Sequence, residues 1–127
     1  MTCVVVDASV LAAITFGEPE GRALAARLDG AAVFAPTLLQ FELANVAWKK
    51  ARREPQNAAA LIAALDAALA GDYGIMWRSV EPADVTLVAL AVGCTAYDAA
   101  YLWLAGTLGA GLLTLDARLS RASAALA

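Results

Sequence analysis

Thr2-Cys3-Val4-Val5-Val6-Asp7-Ala8-Ser9 is the stretch on which the fold turns. So short a run of β-branched and small apolar residues reads as a strand buried on both faces, the kind found inside a parallel sheet. The run ends on a carboxylate, and Ala8 to Ile14 then has helical spacing. A buried strand with an Asp at its carboxyl end puts that charge where open α/β sheets bind ligands. The device returns in Leu112-Leu113-Thr114-Leu115-Asp116, an apolar run read as a strand, stopped by Asp, with Ala117-Arg118-Leu119 opening a helix. Two such strands side by side set two negative charges in one crevice. Their repulsion has to be offset, and a divalent cation is the usual partner.

Between these ends, strands alternate with helices. The turn region Gly17, Pro19 and Gly21 leads to a helix with Glu18 and Glu20 in its first turn, Leu24 and Leu28 inward, and Arg22 and Arg27 outward. Asp29-Gly30 stops it, and Ala31 to Ala35 reads as a second buried strand closed by Pro36. Thr37 is the expected cap of a long helix, Leu38 to Arg53, which Glu54-Pro55 breaks. A helix from Asn57 to Leu69 ends before Gly71, Ile75-Met76-Trp77 is a weak strand, and Ala83 to Val92 is a helix opened by Pro82 and ended by Gly93. Thr95 starts another helix that runs to about Ala105. This alternation predicts a single α/β domain over 1–127, with a mainly parallel sheet covered by helices on both faces.

Composition narrows the chemistry. Hydrophobic residues make up 61% of the 127 residues and charged ones 17%, more apolar surface than one small domain hides, so self-association or a partner is expected. The net charge of −3 does not draw in a polyanion, which would need a local basic patch or metal ions. With no His, imidazole acid–base catalysis, Ser-His-Asp triads and most zinc sites are excluded. Cys3 and Cys94 lack a metal-binding spacing and read as small buried hydrophobes of a reducing compartment. The uncharged stretch Ala99 to Leu115 is cut by Gly106, Gly109 and Gly111 and is too short for a membrane span, which needs about 20 residues. The chain start lacks a signal-type pattern, so a cytoplasmic location and no membrane contact are expected.

Of the 12 acidic residues, most fall at turns and polar faces; Asp7, Glu42, Asp98 and Asp116 do not. Each has a structural reading beside the functional one. Asp7 and Asp116 can be N-caps of the helices that follow them. Asp98 stands three residues after Thr95, the spacing of a capping box. Glu42 shares a helical stripe with Asn45 and Lys49, which reads as a solvated face or, since the helix begins apolar almost all round, as the lining of a cleft. The joint pattern favours function: two acids at strand ends and two in first turns of helices can converge on one rim. Ser9 and Thr114 add hydroxyls beside Asp7 and Asp116 that can orient ligands or water.

Val4-Val5-Val6-Asp7-Ala8-Ser9, Glu42 with Asn45 after Ala35-Pro36-Thr37, Thr95-Ala96-Tyr97-Asp98-Ala99-Ala100-Tyr101-Leu102, and Thr114-Leu115-Asp116 together resemble the PIN domain, in particular the VapC-type toxins of bacterial toxin–antitoxin pairs. The resemblance covers essentially the whole chain, in order. It implies a three-layer α/β/α sandwich and Mg2+ or Mn2+ held by Asp7, Glu42, Asp98 and Asp116, with Ser9, Asn45 and Thr114 in support. It also implies endonucleolytic cleavage of RNA, a homodimer, and a cognate VapB-like antitoxin. Leu119 stands where many relatives carry Phe. With no His and no activated Ser or Cys pair, the expected nucleophile is water activated by the cation.

Lys49, Lys50, Arg52 and Arg53 form the one dense basic run, either a solvated helix end suited to the dipole or a phosphate-contacting patch. Trp48, Trp77 and Trp103 can stack on bases but more often serve core or interface. The helices from Ala8 to Leu28 and the surface around Trp48 are candidate docking faces for an amphipathic partner helix. A haloacid-dehalogenase-type phosphatase needs a second Asp where Ser9 stands, and a receiver domain needs an acidic pair at the first strand; neither fits. A catalytically weak PIN-fold module that binds RNA or protein is the alternative function.

Overall fold

The computed structural model describes residues 2–126, and strands and helices alternate through it. The strands are β1 (Cys3–Val6), β2 (Ala32–Pro36), β3 (Met76–Arg78) and β4 (Gly111–Leu113). The helices are α1 (Ala8–Thr15), α2 (Gly21–Leu28), α3 (Leu38–Arg53), α4 (Ala58–Ala67), α5 (Pro82–Val92), α6 (Ala96–Leu108) and α7 (Ala117–Leu126). The strands form one sheet in the order β3-β2-β1-β4, and every pairing is parallel, so the expected mainly parallel sheet is entirely so. The architecture is the three-layer α/β/α sandwich expected of a PIN-like fold. No helix among the described residues is long and apolar enough to cross a membrane.

The core explains the valine run. Val5 and Val6 of β1 are fully buried, as are Val10 and Leu11 of α1 and Leu39 and Leu43 of α3. On α3 the buried residues Leu39, Leu43 and Ala47 recur every fourth position, one face of a helix packed on the sheet. Close approach of α1 and α2 depends on Gly21, where a Cβ would stand 2.2 Å from the Ala13 carbonyl oxygen. The expected turn glycine is thus a packing glycine as well.

Several local expectations are corrected. Thr37 does not cap α3 with its side chain: its backbone is already helical, which turns the hydroxyl away from the free N–H groups. No acid lies in the first turn of α2; Glu18 instead pairs with Lys50 Nζ at 3.4 Å. The segment after Glu54 is divided into a tight turn at Pro55–Asn57, α4, and a wide helical turn at Ala68–Asp72, where Gly71 takes φ 109°. β3 is shifted by one residue, and α6 runs to Leu108 before Gly109 closes it in the left-handed region. Cys3 and Cys94 are half-buried, packed against the core from its edge rather than enclosed in it. Finally, β4 stops at Leu113. Thr114 lies beyond the ladder, and its hydroxyl bonds to the rim.

Candidate metal centre on the carboxyl rim of the sheet

The register of β1 and β4 decides where that hydroxyl goes. Val4, Val5 and Val6 pair with Gly111, Leu112 and Leu113, so the next residues, Asp7 and Thr114, leave the sheet side by side. The Thr114 hydroxyl donates to Asp7 Oδ2. On the other oxygen, Ser9 Oγ donates to Asp7 Oδ1 at 2.6 Å and the Val10 N–H at 3.2 Å. Asp7 is therefore the N-cap of α1 and, at 6% exposure, the one buried charged residue among those described. The cap reading of this residue holds. Its position is also the switch point of the sheet, since the chain passes from β1 to β2 on one side and β4 lies on the other.

The same hydroxyls tie in the second strand end. Thr114 Oγ1 accepts from the Asp116 N–H at 3.0 Å, and Ser9 Oγ accepts from the Leu115 N–H at 2.9 Å. Asp116 Oδ1 accepts from the N–H groups of Arg118 at 2.8 Å and Leu119 at 3.3 Å, so this carboxylate caps α7. Asp116 is thus linked to Asp7 through Thr114 while its own carboxylate is turned toward a helix terminus.

Glu42 and Asp98 approach Asp7 from two helices. Glu42 lies one turn into α3, half-buried, in the row beside the buried Leu39–Leu43 face; it is not on a solvated face. Its Oε1 accepts a hydrogen bond from the Tyr101 hydroxyl. Burial pushes the Glu42 carboxyl above its ordinary value, the Tyr101 bond acts against that, and the charges of Asp7 and Asp98 push further up. Tyr101, 2% exposed, is raised above the usual tyrosine range by its own burial first and then by Glu42, with Asp7 and Asp98 adding to it, so it stays protonated and serves as a donor. Thr95 Oγ1 accepts from the Asp98 N–H at 3.2 Å, and that hydroxyl caps α6. The Asp98 carboxylate accepts no hydrogen bond among the described residues.

The charges of Asp7 and Asp98 thus both act on Glu42, and Asp116 is tied to Asp7 through Thr114. Among the described residues no Lys or Arg pairs with any of the four; the one ion pair is Lys50–Glu18. As the side chains stand, no three Asp, Glu or Cys residues among those described are gathered tightly enough to enclose an ion. The donor set still fits Mg2+ or Mn2+. It is all oxygen, its charge is uncompensated, and magnesium is commonly held by one or two carboxylates with water completing its shell.

The supporting residues divide. Ser9 and Thr114 hydrogen-bond to Asp7 directly, whereas Asn45 is exposed and lines an open cleft of about 540 Å³ with Glu42, Phe41 and Tyr97. In the basic run, Lys50 pairs with Glu18, and Arg52 lies over the half-exposed Trp48 ring at 4.8 Å. Lys49 and Arg53 are exposed, seven and eleven residues beyond Glu42, or about 10 and 16 Å along the helix. Trp77 and Trp103 pack against the core. The residue that sequence reasoning missed is Tyr101. Its signal was its position three residues after Asp98, on the same helix face.

Residues 4–125 match the family model of the PIN domain. Among solved structures, PAE2754 from Pyrobaculum aerophilum is similar, with 28% identity and a TM-score of 0.75 over 96% of this chain and 86% of that one. No protein of curated function matches the chain.

Proposed function

The chain belongs to the PIN-domain family, and we propose that it is a metal-dependent endoribonuclease, the toxin of a VapBC-type toxin–antitoxin pair. PIN domains are generally nucleases and typically use divalent metals. The observation that carries the reading is the Asp7–Glu42–Asp98 group at the switch point of the sheet, in which the charges of Asp7 and Asp98 bear on a half-buried Glu42 and no Lys or Arg among the described residues pairs with them. Asp7, Glu42, Asp98 and, beside them, Asp116 would hold Mg2+ or Mn2+. When bound, the cation lowers the pKa of water and offsets charge on phosphoryl oxygens.

The chain's own residues supply the rest. Ser9, Thr114 and the Val10 N–H fix the orientation of Asp7, and Tyr101 fixes that of Glu42. The carboxylates repel a phosphodiester in the absence of the cation, so RNA binding at the rim depends on metal. The products expected of in-line attack by water are 5′-phosphate and 3′-hydroxyl ends.

The partner reading rests on exposed apolar surface. A cleft of about 600 Å³ lined by none of the four acids opens between α1, α2 and the start of β2, with Ile14, Ala25, Leu28 and Tyr73 in its wall. An amphipathic antitoxin helix fits such a cleft, and an Arg reaching from it to the acids would compete with the cation. A second copy of the chain would cover Leu87 and Leu90 of α5, which are 65% and 76% exposed.

The test is RNA cleavage by the purified chain with Mg2+, with Mn2+ and with chelator, beside expression with and without the neighbouring reading frame. Metal-dependent cleavage and growth arrest relieved by Asp7→Asn support the proposal. RNA or protein binding without cleavage in any metal would favour the binding-module alternative. Harmless expression of metal-active protein would remove the toxin role and leave the nuclease.

A further inference from the structure

Phe41 and Tyr97 are among the most exposed large apolar residues of the described chain, at 78% and 69%. Each immediately precedes an acid of the candidate centre, Glu42 on α3 and Asp98 on α6. Successive helix residues point about 100° apart, so turning the acid toward the rim turns the neighbouring ring outward beside it. Both rings border the open cleft of about 540 Å³ that Glu42 and Asn45 also line. That volume lies in the range of small-ligand sites and suits a nucleobase.

The faces of these rings are free. Lys50 stands over Phe16, Arg52 over Trp48 and Arg78 over Phe34, while among the described residues no cation covers Phe41 or Tyr97. Neither ring belongs to the core or to the partly buried shell packed on it. Solvent-facing aromatics beside a site for phosphodiester chemistry make stacking platforms, since every base presents a π-face on which a ring can stack.

We propose that Phe41 and Tyr97 form a stacking clamp for unpaired bases of single-stranded RNA next to the bond cut at the acidic rim. This rests on the nuclease reading above and names its substrate class. In a duplex the bases stack on one another and withhold their faces, so the clamp selects single strands, loops and bulges. Asn45, in the same cleft, offers a carboxamide to a base edge. The clamp also answers the charge problem, because stacking adds affinity that does not depend on a basic surface.

The experiment uses the full chain, a fluorescein-labelled single-stranded RNA of mixed sequence, the same strand with abasic positions, and its duplex. Binding is read by anisotropy with Ca2+, and a gel verifies that the RNA is uncut. Phe41→Ala and Tyr97→Ala should each weaken single-strand binding about 5- to 100-fold. Phe41→Tyr and Tyr97→Phe should bind like the parent, and duplex binding should not change in any variant. The abasic strand should bind the parent as weakly as the intact strand binds the Ala variants. Unchanged binding in both Ala variants, an abasic strand bound as well as the intact one, or no single-strand binding by the parent would overturn the proposal. So would conversion of a dimer to a monomer by either Ala change in light scattering, which would assign the rings to a second copy. Base-dependent binding without cleavage in any metal would leave the clamp standing and remove the nuclease reading; metal-dependent cleavage indifferent to both rings would do the reverse.

Discussion

Asp7 is 6% exposed and accepts three hydrogen bonds, whereas Asp98 is half-buried and its carboxylate accepts none among the described residues. Both stand on the same rim, and the charge of each is felt by Glu42. The difference lies in what holds them. Asp7 leaves a central strand whose register with β4 places Thr114 alongside, so its geometry is set by the sheet. Asp98 is positioned by the first turn of α6 alone, where Thr95 spends its hydroxyl on the backbone. One half of the centre is organised before any cation arrives; the other keeps side-chain freedom for the cation to order. Glu42 belongs with the first half through Tyr101, and Asp116 stands between the two, fixed in backbone but turned to cap α7.

The largest expected effects probe that contrast directly. Asp7→Asn and Asp98→Asn each remove a full charge, and each should lower metal-dependent RNA cleavage by at least about 100-fold, since even positioning residues around metals cost 10- to 100-fold. Lengthening the side chain separates them. Asp7→Glu should lose as much as Asp7→Asn, because an added methylene cannot keep three hydrogen bonds in a buried site. Asp98→Glu should retain measurable activity, because its carboxylate can readjust. Equal residual activity of the two Glu variants would erase the distinction between the halves. Without metal, Asp98→Asn should also melt no lower than the parent, since it relieves repulsion and breaks no bond.

Next in size is Tyr101→Phe. It keeps the buried ring and removes only the donor to Glu42. A loss of about 10- to 100-fold in metal affinity or cleavage is expected, with about 1–3 kcal/mol of stability lost for the unpaired acceptor. If calorimetry shows the stability change without the affinity change, Tyr101 serves packing and leaves the centre untouched.

The sheet was legible because Val5, Val6 and Leu113 are buried, and the runs Val4-Val5-Val6 and Leu112-Leu113 have no competing period. The same patterns led to Asp7, directly after β1, and to Asp116, which stands beyond the end of β4 at the start of α7. Sequence alone could not decide whether these acids cap helices or serve a site, and both in fact make caps. The register that brings Thr114 to Asp7 is a tertiary fact with no local signature. Glu42 was ambiguous because a helical stripe gives a face but not its neighbour; only the packing of α6 against the sheet shows that Tyr101 covers it. Thr37 misled because its residue type is right for a cap while its backbone is already helical. The basic run divided for a similar reason, as Lys50 found Glu18, a partner 32 positions away that no helical spacing reveals.

Smaller effects are expected from that run, which lies beyond both halves. Lys49 and Arg53 remain exposed, so the double change to Ala should weaken RNA binding several-fold. It should also flatten the slope of log affinity against log salt by about one for each phosphate no longer neutralised. An unchanged slope would make them part of a solvated helix end. Lys50→Ala, by contrast, should leave the slope nearly unaltered, since this ammonium is shared with Glu18.

The smallest effect is the most diagnostic of strain in the organised half. Burial first, and then the charges of Asp7 and Asp98, hold the Glu42 carboxyl above its ordinary value, against the Tyr101 bond. A carboxyl raised in the folded state favours folding when protonated. Its contribution is fully present below the unfolded value, about 4.3 for Glu, and is lost as pH rises through the folded one. Glu42→Gln keeps an acceptor for Tyr101 and removes the charge. In metal-free protein it should therefore melt with the parent at acid pH, move above it as pH climbs through that window, and stay above it at neutral pH. Added Mg2+ should reverse the order at neutral pH, because the parent gains a bound ion that the amide holds poorly. Coincident melting curves at every pH would mean that the Glu42 charge is already satisfied by the protein, leaving the centre no electrostatic reason to take up a cation.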